Sequence, residues 1–190
     1  MQILFPRISE GGQMILRTFR WVSTAAVVAA TLAACVPGRA SFYQNALPEA
    51  LGTTDILVLG SDASWFDMVL PIRREGCGAV VFRLSPETIA KIRQQGLAFF
   101  QDARQARGYD ANSAKGRYYA YAAWQATPAP EGWFGDGAVA GSLSCAGVAN
   151  DLIRKITEGG KGTEGYFTTK SEAQLIVLPQ EQIAIYTYFG

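Results

Sequence analysis

Histidine is absent from all 190 residues, and that absence narrows the available chemistry more than any motif that is present. It removes Ser-His-Asp and Cys-His nucleophile machinery, the imidazole ligands of most catalytic zinc sites and a histidine pH switch. Carboxylates, Lys, Tyr, Ser and backbone groups remain. Asp62, Asp67, Asp136, Asp151 and Glu164 are the acids from which a glycoside-cleaving pair would be drawn. No spacing singles out two of them. Ser142 and Ser144 flank Leu143 just before Cys145, in a setting similar to a nucleophile elbow but without its glycines. Only a Ser-Lys arrangement would activate either hydroxyl here. No Walker loop, dinucleotide fingerprint or calcium loop occurs, so no catalytic residue, metal or cofactor is assigned. The densest chemistry is aromatic: Tyr118, Tyr119, Tyr121 and Trp124, then Trp133 and Phe134 beyond Thr127-Pro128-Ala129-Pro130. Tyr119, Tyr121, Trp124 and Trp133 form a candidate ligand surface, because a row of rings beside a Pro-rich loop suits a sugar face or an extended peptide. The competing reading places the same rings in the core of a sheet, where aromatics are enriched for packing reasons alone.

A second kind of chemistry is written into the N-terminal stretch. Arg17 and Arg20 precede an apolar run, Trp21 to Ala33, which ends at Leu32-Ala33-Ala34-Cys35. Basic flank, short apolar run and small-residue cleavage site define a secretory signal. The run is short and Ala-rich for crossing a bilayer, which takes about 20 strongly apolar residues. With cysteine at the first position after the site, the segment resembles the lipobox signal peptide of bacterial lipoproteins. The resemblance covers only this leader, residues 1–34; the rest of the chain resembles no recognisable family. It implies cleavage before Cys35, acylation of that thiol and attachment to a membrane by palmitate-type chains, each buried methylene contributing about 0.8 kcal/mol. Val36, rather than Asp, follows the cysteine, which by the same resemblance favours an outer-membrane address facing the periplasm in a Gram-negative cell. Residues 1–13 fit no part of a signal peptide, and translation is expected to start at Met14.

Export settles the remaining thiols. In an oxidising compartment Cys77 and Cys145 are expected to pair as a disulfide, since neither belongs to a Cys-x-x-Cys redox motif. The leader holds three of the 17 Lys and Arg residues and one of the 16 Asp and Glu, leaving 14 against 15 in the mature chain. Such a balanced surface offers no footprint for a phosphate backbone, so nucleic acid is discounted as a partner.

The elements that would position these groups are expected to form one α+β domain over 54–190, a mostly antiparallel sheet with two principal helices packed on it. Residues 35–53 read as a lipid-anchored tether, with Phe42 and Tyr43 free or docked. Asp55 to Gly60 is a strand, expected to be central, and Gly78 to Leu84 a second; 61–70 is either strand or helix. Ser85 caps a long helix, Pro86 to Arg107, with Ile89, Ile92, Gly96, Phe99, Phe100 and Ala103 on its buried face. Tyr118 to Ala122 alternates as a strand. Ala138 to Ser144 reads as a strand leading into a second helix through Val148, Leu152, Ile153 and Ile156, stopped by Gly159-Gly160. Tyr166 to Thr169, Ala173 to Leu178 and Gln182 to Phe189 close the chain as an antiparallel meander. The expected role is a non-catalytic protein-contact module of the cell envelope, with another envelope protein as partner. A glycan or small-ligand binder is the alternative, and a histidine-independent hydrolase a weaker one.

Overall fold

The computed structural model describes residues 40–62, 76–134 and 137–189, the side chain of Lys115 excepted. Cys35, Asp67, Asp136 and most of the ambiguous 61–70 stretch therefore lie outside the described residues. In chain order the elements are α1 (residues 40–46), β1 (Thr53–Ser61), β2 (Cys77–Leu84), α2 (Pro86–Gln95), a 3₁₀ turn (Gly96–Phe100), α3 (Ala114–Arg117), β3 (Gln125–Ala126), α4 (Ala138–Cys145), α5 (Asn150–Lys161), β4 (Tyr166–Lys170), β5 (Ala173–Leu178) and β6 (Ile183–Phe189). The strands make one six-stranded sheet in the order β1-β2-β6-β5-β4-β3, with every neighbouring pair antiparallel.

Both faces of this sheet are covered, and strand alternation explains how one sequence serves two cores. Val80, Phe82 and Leu84 of β2, Ala173, Leu175 and Val177 of β5, and Ala184 and Tyr186 of β6 point to the first face. There they meet Leu47, Leu51, Ile89, Ile92, Phe100, Tyr121 and Trp124. The interleaved residues Ala79, Val81, Ile176, Leu178, Ile183 and Ile185 point to the second face, against Val139 and Leu143 of α4 and Ile156 of α5. A strand buried on both sides reads as a continuous apolar run, which is how β5 and β6 appear.

The C-terminal meander, β2 and the Ser85 cap lie where the pattern places them. Ser85 accepts the amide of Thr88, with Pro86 opening the helix. Five expectations about strands and helices need correction. First, β1 is not central but borders the sheet, where two register shifts interrupt its pairing with β2. Its apolar block is compatible with either place because an edge strand still buries one side. Second, the helix from Pro86 stops at Gln95, because Gly96 takes φ +57° and ψ −136°, a backbone region closed to side chains. A 3₁₀ turn then carries Phe99 and Phe100, so the apolar spacing continues although the α-helix does not. Third, Ala138–Cys145 is helix rather than strand; its buried residues Val139, Ala140, Ser142 and Leu143 fall at helical spacing. Short apolar runs carry both periods, and Ala and Gly side chains weaken the distinction. Fourth, Tyr118 to Ala122 is not a sheet strand: Tyr119 and Ala120 donate back to Gly116 and Arg117, and only Ala120 bridges, to Gln105. Fifth, α5 runs through Gly159 and Gly160 to Lys161. A Cβ at Gly160 would collide with the Phe134 ring and one at Gly159 with Leu178, so these glycines allow close packing instead of stopping the helix.

Residues expected to form a tether are largely structural. Tyr43, Ala46, Leu47 and Leu51 are buried in the first core. Leu47 accepts from the Arg107 amide, and the Arg107 guanidinium donates to the carbonyls of Gln44 and Leu51. The unit that holds the sheet accordingly begins at Phe42, inside the stretch expected to be a tether.

Candidate functional site

Cys77 opens β2 and Cys145 closes α4, and the two sulfurs are bonded, with Cα atoms 6.1 Å apart. The bridge pins the second-face helix to the sheet. Gly60 of β1 passes beside it, so close to the Ala146 carbonyl that a Cβ would not fit. Asp62 adds a carboxylate that accepts the Cys77 amide at 3.0 Å. Asp62, Cys77 and Cys145 bring ligand-type atoms within 4.8 Å of one another, but the sulfurs are spent on each other.

The four candidate rings are divided between the faces. Tyr121 and Trp124 are buried in the first core, and each satisfies its polar tip internally: Tyr121 donates to the Ala46 carbonyl at 2.7 Å and Trp124 to that of Ala103 at 2.8 Å. Tyr119 is half-buried beside them. Trp133 packs on the second core, edge-on to Phe167 at 5.1 Å. They do not form one exposed concavity; two of them are core, as the competing reading expected. Ser142 is fully buried, its hydroxyl 2.7 Å from the Ala138 carbonyl and 2.8 Å from that of Tyr188, so its one proton is committed to backbone. Ser144 is exposed, as are Asp62, Asp151 and Glu164, and Asp151 pairs with Arg154 of its own helix.

Tyr119 and Tyr121 belong instead to a constellation centred on Lys170, a residue that falls just past the expected strand Tyr166 to Thr169 and was in no candidate site. Lys170 ends β4, and alternation aims it, with Tyr166 and Thr168, at the first face; that period-two pattern was the available signal. The side chain is 5% exposed and its ammonium lacks a hydrogen-bond acceptor among the described residues. Four rings enclose it, with centroids at 3.8 Å (Tyr118), 4.6 Å (Tyr119), 5.4 Å (Tyr186) and 5.5 Å (Tyr121). Ring faces attract a cation, and the attraction grows as water is excluded. Loss of water nonetheless dominates and draws the Lys170 ammonium down from 10.5 to about 8. Burial also raises the Tyr119, Tyr121 and Tyr186 hydroxyls above their ordinary value, and neighbouring tyrosines add to the effect. Tyr118 alone of the four is open to solvent, at 44% exposure, and covers the ammonium from outside. As a cation, Lys170 is a buried charge with three unmet donors; as a neutral amine it is a nucleophile.

Two open clefts lie elsewhere. One of about 270 Å³ is lined by Leu97, Phe100, Gln101, Arg104, Ala123 and Trp124, and one of about 410 Å³ by the Pro128–Gly132 loop with Phe134 and Lys161. These features define an α+β domain with a disulfide-clamped antiparallel sheet and a tyrosine-caged lysine. Comparison with protein-family models, with curated proteins and with solved structures finds no match.

Proposed function

We propose that the chain is an exported lipoprotein, acylated on Cys35 and held at the cell envelope, where its domain acts by contact with another envelope protein and not by catalysis. In a Gram-negative host the favoured address is the outer membrane, facing the periplasm. The observation that carries the envelope reading is the Cys77–Cys145 bridge, since such bonds persist in oxidising compartments and are rare in the cytosol. It supports export without reference to the leader. The contact reading draws on β1: nine residues long, bordering the sheet, with Leu57 exposed and no described strand on its outer side. A free edge is a template for an added strand.

Thiol blocking in intact cells, before any reduction, tests the first half. Cys77 and Cys145 are expected to stay unmodified until a reductant is added; two freely alkylated thiols would contradict export. A photo-crosslinker at position 57 tests the second half, and the expected product is a discrete adduct with one envelope protein. The Phe100–Trp124 ring pair, 4.4 Å apart beneath the cleft that Arg104 borders, favours the ligand-binding alternative. Saturable change in Trp124 emission on adding an acidic sugar would shift the balance that way.

A further inference from the structure

We infer that the face built from Phe42, Tyr118 and Tyr119 lies against the phospholipid headgroups of the membrane to which the chain is anchored. The inference rests on acylation of Cys35, as proposed above. Phe42 and Tyr118 are two of the five exposed large hydrophobic residues among those described, at 43% and 44% exposure. Each contacts Tyr119, with ring centroids 6.4 and 5.7 Å from its own, so the three rings are linked in one patch. Rings with a polar tip are suited to the headgroup level, where one end is wet and the other apolar.

Chain length supplies the occupant. Phe42 follows Cys35 by seven residues. Fully extended, that stretch spans at most about 25 Å, so acyl chains in the bilayer hold this patch within that distance of the surface. Charge agrees with the placement. The buried Lys170 ammonium stands 3.8 Å behind the Tyr118 ring, with no acceptor among the described residues, and adds positive charge beneath the patch. Arg117 adjoins Tyr118 in the chain and is exposed, and the Arg107 guanidinium is fixed to the Gln44 carbonyl two residues beyond Phe42. Of the acids, Asp110 packs against Gly116, and Glu172 lies in the turn after Lys170. Phosphates of the headgroup layer meet the exposed Arg117 while the rings enter between them.

Bromolipid quenching tests the contact. Acylated full-length Tyr118→Trp protein, and Leu97→Trp protein as a reporter on a different surface, are reconstituted in phosphatidylethanolamine–phosphatidylglycerol vesicles with and without brominated phosphatidylcholine. The emission added at position 118 is expected to shift to the blue and lose most of its intensity to bromine, while that added at position 97 keeps its intensity. Hydrogen exchange of the unsubstituted protein gives the same answer without a new side chain: amides of residues 116–120 should slow on vesicles relative to detergent. Protein that floats with the vesicles but shows neither quenching nor slowing overturns the docking and leaves the anchor standing. Protein that never floats overturns both, by removing the acyl chains on which the placement depends.

Discussion

Replacing Lys170 by Met should make the protein more stable at neutral pH, although it deletes a charge held among four aromatic rings. Met has a similar length and no donors, so the cage stays filled and the unmet ammonium disappears. The magnitude follows from the fall in the ammonium's pKa from 10.5 to about 8. At 1.36 kcal/mol per pH unit, the native state carries a cost of at most about 3 kcal/mol below pH 8. Attraction to the Tyr118 and Tyr119 ring faces, the two nearest, offsets part of it. A net gain of about 1–2 kcal/mol for Lys170→Met at pH 7 is expected. The pH dependence has a defined sign. Between pH 8 and 10.5 the unfolded chain binds more protons at this residue than the folded one, so wild-type stability rises with pH there and the advantage of the Met variant shrinks. Above about pH 10 the buried Tyr121 and Tyr186 act oppositely, since unfolding lets them ionise, and both proteins weaken together. Urea unfolding of the pair at pH 7, 8, 9 and 10, with identical slopes, measures the gap. A Met variant less stable than wild type at pH 7, or a gap constant across the series, would refute the assignment of Lys170 as a buried, desolvated cation.

Reducing the Cys77–Cys145 bridge, or replacing both residues by Ser, should cost about 4 kcal/mol, the loop-closure value for a sequence separation of 68; a loss below about 1 kcal/mol in urea titrations would show that the helix and sheet hold without the clamp. Gly96→Ala should destabilise by about 1–3 kcal/mol through backbone strain alone, because the nearest atom to a Cβ there, the Tyr166 hydroxyl, is 3.6 Å away. An unchanged melting temperature would mean that the α2 end can re-form without a positive φ. Truncation before Tyr186 removes half of β6, a strand that pairs with both β2 and β5, and should abolish cooperative unfolding; a normal thermal transition would contradict the central place given to β6.

Where apolar runs were short and bounded by strong turns, local pattern was enough to read the fold. Residues 173–178 and 183–189 are apolar runs of strand length, and Ser171 and Gln182, just ahead of each, take positive φ in the turns. The cysteines were legible for a different reason: once one of three is assigned to lipid, the other two have only each other. The misreadings share a cause, which is that the deciding partner was distant. Ala138–Cys145 carries too few large side chains to separate helix from strand until Ser142 is seen bonding the carbonyl four residues back. Tyr121 and Trp124 looked like surface candidates because their hydrogen-bond partners, Ala46 and Ala103, lie 75 and 21 residues away. Residues 42–52 looked like a tether because the groups that bury Tyr43, Ala46, Leu47 and Leu51, and the Arg107 that bonds Gln44, Leu47 and Leu51, are distant in sequence. Lys170 went unnoticed because a charged residue beside Ser171 ordinarily belongs to a solvated turn; nothing local signals that three of its four enclosing rings come from residues 118–121.

Metabolic labelling with an alkynyl palmitate analogue, followed by fractionation, tests the envelope assignment at its root. Wild-type protein should carry the label and sediment with membranes, and Cys35→Ala protein should carry none while retaining its Cys77–Cys145 bond. Unlabelled wild-type protein recovered from the cytosol would contradict the anchor, the address and the membrane-facing aromatic patch together.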